Sequence, residues 1–310
     1  MRVDDTDPSK LTKVQIDKNH ECGLFKQDIV GDKIYVSYLT PKKPILPALP
    51  HQNVVLEVPL HPDKSDLETV DIDLHLSMVK AYRMDARYND WFSACFGFKA
   101  ILVYIGDGRR PVLGTYAPRL DGPPRQQGWL STLSGYATGN SQRSKDPPWI
   151  TFSDLAPFLV VSEKSLANIQ ARLPSSDIEI TAFRPNIVID GESEFDEDFW
   201  AELSTNNTPF LTLTKMCNRC TSLNVDYDTG KIADGERGTV LKKLMSDRRV
   251  DKGAKYSPVF GKYGFLIDEQ ENMTLLVGDD ITVTKRADER PIFDWPLRSK
   301  NAQPQFYHME

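Results

Sequence analysis

From residue 149 to residue 286 no hydrophobic period is kept for long, and this restricts the fold more than any other feature of the chain. Short apolar runs at 158–161, 178–183, 187–189, 210–217, 220–225, 261–267, 273–276 and 281–284 are divided by Pro185, by an Asp-rich turn at 226–230 and by Gly278-Asp279. Runs of this length bounded by turn residues read as strands. Three helices interrupt them. Ser162 caps one whose Leu166, Ile169 and Leu173 face inward and which Pro174 ends; an acidic-started one at 196–203 buries Phe199, Trp200 and Leu203; a brief one carries Val240, Leu241 and Leu244. The expected class is mixed β/α dominated by β, a barrel-like sheet with peripheral helices and not a series of βαβ units.

The first eighty residues also read as β, with runs at 13–16, 32–39 and 54–60 and a break at Pro41 and Pro44. A helix follows at 85–95, where Tyr88, Trp91, Phe92 and Cys95 share one face, Asp85 is the N-cap and Gly97 the stop. Cys95 therefore belongs to the core. A strand at 100–105 leads into a long Pro-, Gly- and Ser-rich passage that ends at Pro148. Such a passage marks a boundary. The expected organisation is a β domain with a helical insertion and a Pro/Gly-rich loop over 1–148, a second domain over 149–286, and a tail over 287–310 whose Phe293 and Trp295 either pack on the body or stay loose.

A net charge of −6 argues against nucleic acid or an acidic membrane as a broad partner, while a local basic pocket stays open. No apolar run is long enough to cross a membrane, and the first residues are too acidic and polar for a leader, so the segment reads as soluble and cytoplasmic. Cysteines stand at 22, 95, 217 and 220, and their spacing is not that of a disulfide framework.

Cys217 and Cys220 form a Cys-x-x-Cys. Structural zinc needs two further ligands, yet the five histidines, at 20, 51, 61, 75 and 308, are remote in sequence. A redox dithiol wants a helix after the first cysteine, where 221–225 reads as β. Two readings remain: a pair of buried thiols, or one soft ligand for a metal whose other ligands a cofactor brings. Arg219, inside the pair, is ill-suited to a core and its charge lowers the pKa of an adjacent thiol. Arg184 and Asn186 flank Pro185, so a guanidinium and an amide can project together toward a phosphate or ring carbonyl; a salt-bridged turn is the alternative. Ser153-Asp154 reads equally as a turn with nothing bound. The carboxylates at 192–198 are explained by a helix dipole.

Taken together, Phe152-Ser153-Asp154, Pro157-Phe158-Leu159, Phe183-Arg184-Pro185-Asn186-Ile187, Met216-Cys217-x-Arg219-Cys220 and Gly261-x-Tyr263-Gly264 resemble the MOSC domain over about residues 149–285. The likeness is to the amidoxime-reducing components and to the C-terminal domain of molybdenum cofactor sulfurase. It implies a MOSC-type β-barrel and a molybdenum cofactor (molybdopterin) whose metal is held by the pterin dithiolene, oxo groups and Cys220. By the same resemblance Arg184, Asn186, Ser153 and Asp154 bind the cofactor, and Arg219 neighbours the metal. The implied reaction is two-electron reduction of N-hydroxylated small molecules such as amidoximes, with electrons from cytochrome b5 and its reductase. The sulfurase likeness implies sulfur transfer instead, in an enzyme whose aminotransferase-like part, the one associated with pyridoxal phosphate, has no counterpart here.

The chain departs from the family pattern in two places. A Tyr-Pro-x-Lys-Ser segment and a further arginine belong to the family's N-terminal β domain, which implies that Met1 falls partway through an incomplete version of it, with mitochondrial association if the chain is shortened. Leu155-Ala156 replaces Thr-Ser, removing two hydroxyls. These departures motivate a second expectation, a MOSC-fold binding or scaffold protein without productive cofactor binding.

Overall fold

The computed structural model describes residues 1–42, 49–118, 146–267 and 273–308. Most of the Pro-, Gly- and Ser-rich passage lies outside them. Among the described residues no helix is long and apolar enough to cross a membrane. Strand is the dominant element, and the largest sheet is a curled half-barrel with few helices beside it.

In chain order the main elements are β1 (Phe25–Val30), β2 (Lys33–Tyr38), β3 (Leu56–Pro59), β4 (Thr69–Leu74), β5 (Ser77–Arg83), α1 (Ala86–Phe96) and β6 (Val103–Tyr104). Then come β7 (Phe158–Ser162), α2 (Glu163–Ala171), β8 (Ile187–Ile189), β9 (Trp200–Thr205), β10 (Thr208–Asn218), α3 (Val240–Met245), β11 (Val259–Leu266), β12 (Thr282–Arg286) and β13 (Gln305–Phe306). Strands β1–β3 form one antiparallel sheet. The face of α1 carrying Tyr88, Trp91 and Cys95 packs with Val36, Leu56 and Val58 of that sheet, and Gly97 ends the helix in the left-handed region. A second sheet has the order β13-β5-β4, with β6 on β5.

The six-stranded sheet runs β8-β7-β11-β10-β9-β12. Only β7 and β8 are parallel, and α2 makes the crossover between them, with Ser162 Oγ accepting from the N–H of Lys164 at 3.2 Å. Gly261 of β11 has φ 78°, and a Cβ there would lie 2.7 Å from Val161 Cγ1. Only glycine lets β11 approach β7 this closely. Register shifts between Leu213, Met216 and Asn218 in β10 break strict alternation, so that Met216 and Cys217 are both buried.

Several expected elements are corrected. Residues 178–183 end in a 3-10 turn, Ile180–Phe183, and not a strand; 220–225 holds the 3-10 turn Thr221–Asn224; no strand forms at 13–16 or 273–276. The helix expected at 196–203 is a 3-10 turn, Asp196–Phe199, followed by β9. Its acidic residues are not an exposed first turn. Asp198 is fully buried and takes two bonds from Arg248 Nη2, at 2.7 and 3.0 Å, and one from Arg290 Nε at 2.7 Å. Lys262 Nζ donates to the carbonyls of Asp198 and Trp200. Internal partners, not a helix dipole, fix this segment.

Beside that network Glu197 is also fully buried, with Ser165 Oγ donating to it at 2.7 Å, and burial pushes its carboxyl up to about 7 from an ordinary 4.5. Between those values the folded chain holds a proton the unfolded chain has lost. Stability is therefore greatest below the unfolded pKa and falls as pH rises through the folded one. Glu197→Gln, which stays neutral, is expected to gain on the wild type by about 2–3 kcal/mol between pH 5 and pH 8, read by urea denaturation at both. An advantage that does not change with pH would contradict the assignment.

Candidate functional site

The site is built where the β4–β5 hairpin meets the six-stranded sheet, and Arg110 makes that junction. Its side chain is fully buried and donates from Nε to Ser77 O at 3.2 Å, from Nη2 to Leu74 O at 2.8 Å, and from Nη1 to both Thr151 O and Ser153 O at 2.7 Å. Burial lowers its pKa to about 10, so it stays charged at neutral pH. The two ends of the hairpin turn and the loop carrying Ser153 and Asp154 are thus bound to one planar fork.

The turn itself is His75-Leu76, with φ 62° and 68°. Two positive values make the primed turn that suits a two-residue hairpin, although neither residue favours that region. The surroundings hold it. Asp73 Oδ1 accepts from Leu76 N at 2.7 Å, Trp295 Nε1 donates to His75 O at 2.7 Å, and Gln305 N donates to Leu76 O at 2.8 Å. The tail therefore packs: Trp295 is 1% exposed, within the main core.

His75 Nε2 lies 3.1 Å from Asp154 Oδ1, while Tyr263 donates its hydroxyl to Asp154 Oδ2 at 2.7 Å. Desolvation by its neighbours opposes charge on Asp154 although its side chain is 58% exposed, but the bonds from His75 and Tyr263 and the charge of Arg184 hold its carboxyl below the usual range. Burial, with Cys217 and Asp154 alongside, pushes the Tyr263 hydroxyl well above an ordinary phenol, so it remains a donor. On its other side Tyr263 accepts from the Cys217 thiol at 3.3 Å.

The two cysteines of the pair part here. Cys217 is buried, and Arg219 Nη1 donates to its sulfur at 2.9 Å; Cys220 is exposed, with its sulfur 3.1 Å from Ser222 Oγ. Arg219 does not project freely. Its Nη2 donates to Phe183 O at 2.5 Å and its guanidinium lies over the Phe183 ring at 5.4 Å. Burial works against its charge, yet Cys217, Tyr263 and Cys220 hold its pKa above the ordinary value.

Arg184 adopts the left-handed region at φ 55°, is exposed, and makes no side-chain hydrogen bond or ion pair among the described residues, while its charge reaches Asp154 and Cys22. Asn186 is partly committed: its Oδ1 accepts from Leu159 N at 2.8 Å, which leaves its NH2 as donors. Ser153 Oγ and both amide atoms of Asn218 are buried without a partner. Leu155 and Ala156 are buried in the main core, in one cluster with Phe183, Cys217 and Tyr263.

Residues 147–282 match the family model of the MOSC domain. The human mitochondrial amidoxime-reducing component 1 is 38% identical over 143 residues, 45% of this chain and 40% of that protein. The bovine mitochondrial amidoxime reducing component 2 is 36% identical over 136 residues, 43% and 38% of the two chains. A rice molybdenum cofactor sulfurase is 29% identical over 203 residues, 63% of this chain and 22% of that one. The chain thus spans less than half the length of these relatives. His75, Arg110 and Trp295 lie outside the MOSC match; Trp295 was a packing candidate of the tail, but His75 and Arg110 had no signal in the sequence, since Leu-His-Leu lacks the Asn-Gly of a hairpin turn and Arg110 follows an ordinary Gly-rich loop.

Replacing Arg110 by Lys keeps the charge but not the fork, leaving one or two buried carbonyls unpaired. We expect a loss of about 2–4 kcal/mol, read by chemical denaturation. Faster amide exchange should appear at 151–154 and 74–77 together. Exchange that quickens at only one of the two would show that Arg110 does not join them.

Proposed function

We propose that this chain binds a molybdenum cofactor through Cys220 as the one protein ligand to the metal, and that it reduces N-hydroxylated compounds such as amidoximes with electrons from cytochrome b5 and its reductase. The observation that carries the reading is the division of the Cys-x-x-Cys within the MOSC match, which leaves one thiol exposed and one engaged. Among the described residues no group of three or more His, Cys, Asp or Glu could hold a metal unaided. A single soft thiolate suits a metal that a cofactor carries in.

The donors present fit an anionic, hydrogen-bonding group. Among the described residues Arg184 offers a guanidinium without a side-chain partner, Asn186 an NH2, and Ser153 and Asn218 buried polar atoms that no other group satisfies. The cofactor, when bound, supplies two-electron redox chemistry. The protein's share is to fix Cys220, to neutralise the anion with Arg184, and to present Asp154 as a carboxylate that accepts from N–H groups of the pterin. Arg219, held by Cys217 and Phe183, keeps a positive charge beside Cys220. Division into units 1–148, 149–286 and 287–310 and a mitochondrial placement belong to this reading, the latter on the relatives' names alone.

A second reading, a MOSC-fold binding protein without turnover, is favoured by Leu155 and Ala156 pointing into the core where the family pattern has hydroxyls. A third, sulfur carriage on Cys217 or Cys220, requires a cyanide-labile sulfur on the fresh protein. The test is expression in a host that makes the cofactor. We expect about one molybdenum per chain and reduction of benzamidoxime with reconstituted donors. Metal should be lost in Cys220→Ala and kept in Cys217→Ala. Equal retention in both variants would overturn the ligand assignment, and metal without turnover would favour the second reading.

A further inference from the structure

Asp154 is held from a direction that the MOSC match does not contain. Lys13 Nζ lies 3.0 Å from His75 Nδ1, and His75 Nε2 lies 3.1 Å from Asp154 Oδ1. An ammonium group only donates, so Nδ1 must accept and the ring proton must sit on Nε2, where it is aimed at the carboxylate. With Tyr263 donating to Oδ2, each oxygen of Asp154 receives one bond and keeps one lone pair free.

The imidazole is itself fixed. It rides on the strained His75-Leu76 turn, whose carbonyls are clasped by Trp295 and Gln305. Backbone strain held by several outside contacts collects at working sites. Burial lowers the pKa of Lys13, while Asp73 and Asp154 support its charge and Arg110 and Lys18 oppose it. A second proton on the ring would set two donors against each other and break the Lys13 contact.

We propose that Lys13 and His75 are positioning residues for Asp154: Lys13 selects the Nε2–H form of the imidazole, and that N–H keeps the carboxylate an oriented anion at the cofactor face. The ring acts as a fixed donor here, not as a proton shuttle. The role of Asp154 rests on the function proposed above; the tautomer does not.

The first measurement uses the chain without cofactor. Nitrogen-15 spectra of the histidine side chains, with His75 identified by its loss in His75→Gln, should place the proton on Nε2 at neutral pH. Lys13→Met should return the ring to mixed tautomers. A proton on Nδ1 in the wild type, or an unaltered ring in Lys13→Met, overturns the proposal. Turnover by the wild type from a cofactor-making host separates the two claims, because an inert protein counts against the proposed function while the spectra still decide the tautomer. In an active protein His75→Leu should lower kcat/KM by about 10- to 100-fold at unchanged molybdenum content, and His75→Gln should stay within about threefold. Gln can accept from Lys13 and donate to Asp154 but cannot relay a proton. An equal fall in both variants would mean that the ring shuttles protons, and would overturn the assignment.

Discussion

The guanidinium of Arg110 is the contact on which the rest of the site depends. A buried charge is costly unless its hydrogen bonds are made, and here the donors are spread over carbonyls from two parts of the chain that lie far apart in sequence. Because a guanidinium is planar and rigid, it also fixes the relative placement of the peptides it binds. The β4–β5 turn and the Ser153-Asp154 loop are consequently one unit, although the first belongs to the N-terminal sheet and the second leads into β7. Trp295 and Gln305 complete the junction from the far end of the chain, so three stretches determine where a single carboxylate points.

A second constraint acts inside the six-stranded sheet. Gly261 lets β11 come against β7, which brings Tyr263 opposite Leu159, and the irregular register of β10 turns Cys217 inward. Tyr263 then spans from the Cys217 sulfur to Asp154. Two thiols three residues apart thereby acquire different chemistry: Cys217 is saturated by Arg219 and Tyr263, whereas Cys220, just past the strand, keeps its sulfur at the surface. Spacing alone treats the two as equivalent; the bulge and the glycine distinguish them.

The strand-rich class, the helix ending at Gly97, the cap at Ser162 and the core position of Cys95 were legible because each rests on local periodicity or a local hydrogen bond. The acidic run before β9 was misread because a carboxylate gives no sign in sequence of its partner, and those of Asp198 lie 50 and 92 residues away. The strand expected at 273–276 failed for the opposite reason: Leu276 is exposed, so its apolar character was no measure of burial. The candidate site residues within the MOSC match were named through the resemblance, by the order and spacing of its motifs. Lys13, His75 and Arg110 were not, since only the folded chain brings them to Asp154.

The chemistry of the site comes down to a difference between two sulfurs in one short motif. Timed alkylation of the native chain, followed by peptide mass analysis, measures it directly. Cys220 should be modified first, and bound molybdenum cofactor should protect it, while Cys217 stays unmodified until the chain unfolds. Rapid labelling of Cys217, or labelling of Cys220 that the cofactor leaves unchanged, would contradict the account.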